Sequence, residues 1–417
     1  MKAKIHYHTH AAFFSGAENM VALFLQSDEL QSKFSLSFSY RYSKNYHQGL
    51  SKRVINFKGK SYPLRFIHFY SYEQLPKLMP ILFKRIIFLI LNFLITYPLL
   101  IYEIIVIRRL LTKITPDILH INNAGYPAAL SARAAAIAGL ISGVPKIIMV
   151  VNNMAAGYGH YSRWIDYPID RLVVKSVSTF ITGSQAAAKK LQAVLNLPTH
   201  QLKTIHNGIT LRNLTCSVAE IKKRLGLGEF KGIIFGVVAL LIPRKGHQIL
   251  LDAVLKLTSD KKLLGDEFKV LIEGSGPLYP ALLDFVTINK LSPWVKFVGD
   301  EANIVDFMSA LDVLILPSVQ DEDFPNVILE AMALGKPVIA SRLAGTSEQV
   351  VEGVTGLLVE PCNVSQLASA IYQLINQPGM RSSMGSASLA RFNINFSSSI
   401  ALNNYNNLYT KLIQDLP

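Results

Sequence analysis

The chain is short of cysteine and short of charge, and it has no repeat or low-complexity tract. Two cysteines, Cys216 and Cys362, in 417 residues cannot build a disulfide framework and point to a reducing compartment. Only 17% of the residues are charged and 50% are hydrophobic, which excludes a disordered chain and suffices for two domain cores. The opening MKAKIHYHTH lacks the apolar core of a signal peptide and alternates like a first β-strand. No Gly-x-Gly-x-x-Gly follows a strand-like segment, which argues against a dehydrogenase. Acid is scarce in one half only. Residues 1–210 hold 24 Lys+Arg against 8 Asp+Glu, and residues 211–417 hold 18 against 20. A half-molecule carrying +16 suits an anionic partner: nucleic acid, a phosphorylated ligand or an anionic membrane. Solubility alone would be served as well by charge spread evenly.

Strand-like and helix-like segments alternate. KAKIHYH precedes AENMVALFLQ, and DILHIN (117–122) precedes YPAALSARAAAIAGL (126–140). Further on, IIFGVVA (233–239), KVLIEG (269–274) and DVLILP (312–317) each precede a helical pattern, at 247–257, 278–291 and 325–335, and PVIAS (337–341) follows directly. Continuous apolar strands separated by helices imply parallel sheets covered on both faces. The units are too many for one sheet, so two doubly wound domains are expected. The boundary is placed at IHNGI (205–209), with its Asn-Gly turn, giving domains at 1–206 and 207–394. A helical tail at 395–417 is expected to pack back on the first domain. Ligands of such sheets bind at the carboxyl ends of strands, so two facing domains imply a central cleft and two substrates.

The most informative stretch is DEDFPNVILEAMALGKPV, Asp321 to Val338, with Glu322 and Glu330 eight positions apart. Pro325 suits the first turn of a helix, where its missing N–H costs nothing. That puts Glu322 in the loop before a helix N-terminus and Glu330 on the helix, roughly 7–8 Å along the axis from Pro325. The dipole and free N–H groups of that end favour an anion. Two carboxylates then accept hydroxyl hydrogen bonds from two parts of an elongated phosphate-bearing ligand, as in a nucleotide-sugar.

The run EDFPNVILEAMALGKPVIAS after DVLILPS resembles the donor-binding motif of family 4 glycosyltransferases. The resemblance implies an α/β GT-B fold of two Rossmann-like domains and transfer with retention of anomeric configuration. It implies that Glu322 contacts the donor sugar and Glu330 the ribose hydroxyls, with Asp323 where the family usually has glycine. PRKGHQILLDA (243–253) resembles the family's lysine loop, so Lys245 would neutralise the pyrophosphate. The arginine common five positions earlier is Leu240 here, and Arg244 or Arg342 is the candidate replacement. AGTSEQVVEGVTGLLVEP (344–361), with Gly345, resembles the glycine-rich loop, and IEGSGPLYPAL the Gly-x-Gly-Pro turn. FFSGAENM resembles the loop after strand 1, with Gly16 its one glycine, and Asn152 stands where a histidine is common near the donor sugar. Glu322, Lys245 and Asn152 are the implied catalytic group. Glu330, Gly16, Arg244, Asp323, Phe324, Pro325, Asn326, Val327 and Gly345 are the implied donor contacts.

The expected activity is sugar transfer from a nucleotide-diphosphate donor to a lipid-linked or saccharide acceptor, in cell-envelope polysaccharide or glycolipid synthesis at the cytoplasmic face of the membrane. No cofactor, metal or nucleic-acid partner is expected. The rival is a non-catalytic GT-B scaffold that binds nucleotide-sugar or lipid. Plainer readings exist for single residues: Lys245 alone is a solvated lysine, Ser15-x-x-Glu18 is equally a capping box, His120 and His206 are more often structural, and Asp321-x-Asp323 is a common acidic loop rather than a chelator. A glycosidase pair fits Glu322 and Glu330 less well beside a phosphate-type lysine loop. Last, the apolar run Ile86 to Ile107 is flanked by Lys84, Arg85, Arg108, Arg109 and Lys113. Its roughly 33 Å as a helix could span a bilayer. The strands expected before it (64–70) and after it must share one side, however, so a shallow interfacial segment is favoured over a span or a core helix.

Overall fold

The computed structural model describes residues 2–416 except 12, 13, 15, 17, 67–80, 160, 262, 264 and 300–302, with backbone alone at 81–93, 161–162 and 261. The chain divides into two compact units, Met1–Ile205 with Leu402–Pro417, and His206–Ala401.

The first unit is built on seven parallel strands: β1 Lys4–Thr9, β2 Ser35–Arg41, β3 Lys60–Leu64, β4 Ile118–Asn123, β5 Lys146–Val151, β6 Thr179–Thr182 and β7 Leu202–Thr204. Their order is β3-β2-β1-β4-β5-β6-β7, so the winding direction reverses between β1 and β4. The third strand lies earlier than the 64–70 expected from sequence, and 67–70 fall outside the described residues. The helix expected from 126 starts at Leu130. Ahead of it Tyr126 pairs with Ala155 in an isolated bridge, and the Asn123 side chain accepts from the Ala129 N–H at 3.4 Å, which holds 124–129 as a loop. The crossover from β3 to β4 contains a 34-residue helix, Ile81–Ile114, with Pro98 inside it. Among the described residues no helix is long and apolar enough to cross a membrane. Serine caps set local starts: Ser184 accepts from the Ala187 N–H at 2.9 Å to open the helix Gln185–Leu195. From the terminal helix Ser398–Gln414, Tyr405 and Tyr409 pack on Phe24, Tyr7 and His120, with the His120 Nδ1 and the Tyr409 hydroxyl 2.7 Å apart.

The second unit has six parallel strands: β8 Ile233–Val238, β9 Phe268–Glu273, β10 Val295–Gly299, β11 Val313–Leu316, β12 Val338–Ser341 and β13 Gly356–Val359, in the order β10-β9-β8-β11-β12-β13. Its winding reverses between β8 and β11. Val237, Leu250, Val270, Ile315 and Ile371 belong to the core on one face, and Ile234, Leu271, Leu314, Leu329 and Met332 to that on the other. Both faces of the central strands β8, β9, β11 and β12 are therefore buried, which is why they read as continuous apolar runs, while the edge strand β10 is partly exposed.

Candidate active site

At the β8/β11 reversal two loops leave the carboxyl edge of the second sheet side by side, the position where open α/β sheets bind ligands. After β8 the chain makes a 3-10 turn, Pro243–Lys245, and enters the helix His247–Lys261 through Gly246. Gly246 has φ of 70°, and a Cβ there would meet the Pro317 carbonyl oxygen at 1.9 Å. Only glycine lets the two loops approach this closely. The Val319 N–H donates to the Arg244 carbonyl at 2.8 Å and fastens them together.

Glu322 is buried at this junction. Its Oε2 accepts from Lys245 Nζ at 2.5 Å, from the Ser318 hydroxyl at 2.8 Å and from Arg244 at 3.4 Å. Arg244 also reaches the Asp321 carbonyl at 3.3 Å, and Asp321 itself takes a positive φ of 52°. Burial lowers the Lys245 pKa from its usual value, an effect Glu322 opposes and Arg244 reinforces. The lysine loop and the first motif glutamate, assigned by resemblance to different parts of a donor, thus meet directly. Arg342, the other proposed stand-in for the cation missing at Leu240, is held by Glu352 at 3.0 Å and Glu360 at 3.2 Å.

Beyond Glu322, Asp323 and Phe324 are buried, and Phe324 stacks on His206 with ring centroids 4.9 Å apart. Pro325 is the extended residue just before the helix Asn326–Ala333, one position earlier than expected, and no side chain caps that helix. Gln349 donates to the Pro325 carbonyl at 3.1 Å and fixes the entry. Val327 lies in the first turn. Glu330, a turn further along, is partly buried, and no hydrogen bond reaches its carboxylate among the described residues. Burial pushes its pKa up to about 7, with Arg212 opposing and Glu273 reinforcing. Gly345 opens the short helix Thr346–Gln349 after β12, where Thr346 Oγ1 donates to the Ser341 carbonyl at 2.7 Å.

Two further expected residues belong to the first unit and its β1/β4 reversal. Gly16 is exposed in the turn before the helix Glu18–Gln26. The capping serine of Ser15-x-x-Glu18 lies outside the described residues. The Glu18 carboxylate is instead the centre of a buried network, accepting from Tyr46 at 2.6 Å, Thr9 at 2.9 Å and Asn122 at 3.1 Å. Asn152, just past β5, donates to Asn122 Oδ1 at 2.7 Å and to the Asn123 carbonyl at 3.0 Å. With both N–H groups used, it offers a ligand only an acceptor.

Sequence reasoning passed over His247. Its ring is buried beside Lys245, neither nitrogen has a hydrogen-bond partner among the described residues, and burial followed by the Lys245 charge pushes its pKa down to about 4. The only signal was its place directly after Lys245-Gly246. Among the described residues no three His, Cys, Asp or Glu side chains cluster as a metal site would.

Two family models match the sequence: Glycosyltransferase Family 4 over residues 67–213 and Glycosyl transferases group 1 over residues 232–377. Together they take in well over half of the chain. The protein belongs to the family 4, group 1 glycosyltransferases. An uncharacterised glycosyltransferase of Methanocaldococcus jannaschii is 36% identical over 36% of this chain and 41% of its own length. The N-acetyl-alpha-D-glucosaminyl L-malate synthase of Bacillus anthracis is 26% identical over 52% of this chain and 56% of its own. The chain thus spans about half the length of these relatives. A GDP-mannose-dependent monoacylated phosphatidylinositol monomannoside mannosyltransferase of Corynebacterium glutamicum is 27% identical over 62% of this chain and 69% of its own. Among solved structures, Anabaena HepE in complex with UDP superposes with a TM-score of 0.75 at 20% identity, covering 98% of this chain and all of HepE. A Rickettsia africae glycosyltransferase gives 0.75 at 17% identity, covering both chains fully. These likenesses establish the family's GT-B fold of two Rossmann-like units.

Proposed function

We propose that this glycosyltransferase-family chain moves a sugar from a nucleotide-diphosphate donor to a lipid-linked or saccharide acceptor, with retention of configuration, in cell-envelope polysaccharide or glycolipid synthesis. The observation that carries the reading is the Lys245–Glu322 junction, backed by Arg244 and Ser318, with Glu330 on the helix that follows. A donor diphosphate draws Lys245 away from Glu322. The ammonium then sits on the phosphate, and the carboxylate is free to accept a hydroxyl of the donor sugar. Glu330 accepts the ribose hydroxyls. The acceptor oxygen forms its bond to the anomeric carbon on the face from which the phosphate departs. The anomeric carbon–oxygen bond to that phosphate breaks, and the phosphate takes the acceptor proton. Lys245 and the uncapped start of Asn326–Ala333 stabilise the charge that develops on it. The positive first half supports a peripheral position on an anionic membrane at the cytoplasmic face.

Nucleoside diphosphate release from UDP-, GDP-, dTDP- and ADP-sugars by the purified protein tests this reading. Release from one donor class, lost in Glu322→Gln, supports it. Tight donor binding with neither hydrolysis nor transfer to any acceptor would leave the non-catalytic scaffold, which Leu240 and the amide at Asn152 favour.

A further inference from the structure

The neighbouring strands β1 and β2 are apolar on one face only. Ile5 and Tyr7 lie there on β1, and Leu36, Phe38 and Tyr40 on β2. The alternate positions are polar: His6 and His8, then His10 just past β1, beside Ser37, Ser39 and Arg41 of β2. Arg41 can only donate, and its N–H reaches His10 Nε2 at 2.8 Å. A chain follows from that direction. His10 Nδ1 donates to the Ser131 hydroxyl at 2.5 Å, Ser131 to His8 Nε2 at 3.4 Å and His8 Nδ1 to Ser39 at 2.9 Å. Ser39 then donates to His6 Nε2 at 2.8 Å, and His6 Nδ1 to Ser37 at 2.8 Å. The chain fixes the His10 ring, and His10 in turn fixes the guanidinium at the carboxyl edge.

Arg41 has no anion of its own. It is 9% exposed, yet among the described residues its one hydrogen bond is to His10 and no carboxylate pairs with it. The buried Arg133 and Arg163 of the same unit do have such a partner, Asp166, at 2.6 Å and 3.2 Å. Burial pulls the Arg41 pKa down, and the charge of Glu103 on the long helix opposes this. Burial also pushes the Glu103 pKa up to about 7, so that charge is itself incomplete at neutral pH. A buried cation without a counter-ion costs stability. The other nitrogens of Arg41 still touch solvent, so a ligand can reach them. A second cation stands at the same edge. Arg65, just past β3, is exposed and lies over the Tyr42 ring at 5.4 Å, and Phe66 stacks on His10. Because β3, β2 and β1 are consecutive in the sheet, Arg65, Arg41 and His10 follow one another along its carboxyl edge.

We propose that Arg41 and Arg65 bind a phosphate group of the acceptor at this edge, with His10 as the residue that positions Arg41. The planar guanidinium of Arg41 offers two parallel N–H bonds to phosphate oxygens. Arg65 adds the second positive charge that a doubly charged phosphate calls for and a carboxylate does not. The phosphate belongs to a phosphorylated sugar or to a lipid phosphate, two carriers with the same recognition chemistry. The inference rests on the proposed sugar transfer and narrows its acceptor to one that carries phosphate.

Calorimetric titration with glucose 6-phosphate and with hexyl phosphate tests it, glucose and hexanol being the uncharged counterparts. At least one phosphate should bind tenfold or more tighter than its counterpart, and the tighter of the two names the carrier. Arg41→Met should weaken that binding at least tenfold, Arg65→Met about threefold, and Lys245→Met not at all. His10→Ala should weaken it as well, and His10→Gln, whose carbonyl can still accept from Arg41, should restore it. Without that rescue His10 positions nothing. The chain has two tryptophans, Trp164 in the first unit and Trp294 in the second, and they locate the ligand even where an Arg41 variant fails to fold. In wild-type protein the phosphate should raise the melting transition seen at Trp164 in a Trp294→Phe background and leave the one seen at Trp294 in Trp164→Phe. Equal binding of the uncharged compounds, or binding that Arg41→Met leaves intact, would overturn the site. Binding lost in Lys245→Met, with the rise at Trp294, would place the anion at the donor junction instead. Donor hydrolysis needs none of these compounds, so its failure and the failure of phosphate binding are read apart.

Discussion

The two units share a plan and bury different things. In the second, the strands IIFGVV, VLIL and GLLV are apolar, the buried Glu322 and half-buried Lys245 sit in loops at the carboxyl edge, and the buried Glu273 ends β9. In the first, the strands themselves carry polar side chains: His6 and His8 of β1 lie 2.8–2.9 Å from Ser37 and Ser39 of β2, and His120 of β4 meets Tyr409. A buried polar group needs a partner wherever it lies. Neither unit satisfies every such group among the described residues: Tyr7 Oη and His120 Nε2 lack a partner in the first, as both ring nitrogens of His247 do in the second, and no hydrogen bond reaches the half-buried Glu330 carboxylate, on which Arg212 acts through its charge.

The sharpest break in this contrast comes at the junction. Lys245→Met and Glu322→Gln should each lower kcat/KM more than hundredfold, and the losses should be close to additive in the double variant, because the donor parts the two residues and each then holds a different part of it. A double variant little worse than either single one in steady-state kinetics would mean that the pair acts as one unit in the donor complex.

Acid should separate the units next. Burial pushes the His6, His8 and His120 pKa values from 6.5 down to about 3, 4 and 3, with His8 adding to the effect on His6. The unfolded chain takes up protons at 6.5 and the folded one refuses them, so stability is intact above pH 6.5 and is lost as pH falls toward 4. The slope is about 1.4 kcal/mol per ring per pH unit. Glu103, raised to about 7 by burial, and Glu18, raised by burial as well, act in the opposite sense but are two groups against three. Thermal melts followed by Trp164 and by Trp294 should diverge below pH 6, the Trp164 transition falling faster. Coincident transitions at pH 5 would contradict the contrast.

Glu330 should give a smaller, ligand-specific effect. Glu330→Ala should weaken nucleotide binding by about 1.5–3 kcal/mol, the range for hydrogen bonds to a charged group. Its carboxylate accumulates above pH 7, so wild-type affinity for the nucleoside part should rise between pH 6 and 8, and the rise should vanish in Glu330→Gln. Because the folded state disfavours that charge, the same variant should also be the more stable protein above pH 7. Calorimetry at the two pH values reads both. The smallest expected change is at Asn152: replacement by Ala removes two donated hydrogen bonds from the edge of the first sheet and should cost about 1–2 kcal/mol in denaturant melts.

This asymmetry governs what could be read from the residues alone. β8, β11 and β12 were visible as apolar runs because both of their faces are covered, and the helix after Pro325 because proline marks its start. The third strand, KSYPL, has no such run and carries a proline on a sheet edge, so it was displaced toward the more hydrophobic segment after it. The direct Lys245–Glu322 contact was invisible because it depends on two loops meeting across 77 positions. The buried network of Glu18 could not be read from its chain neighbours, because its partners Thr9, Tyr46 and Asn122 come from three other elements, and Ser15 of the expected capping box lies outside the described residues.

The absent methyl at Gly246 couples the histories of two loops. With the Pro317 carbonyl 1.9 Å from where a Cβ would be, no single substitution at 246 can be accepted unless the turn after β11 moves too. Saturation libraries at 246 alone should return glycine almost exclusively. Alternatives should surface only when 317–319 are randomised in the same clone, so loops transplanted to alter donor preference have to travel as a pair.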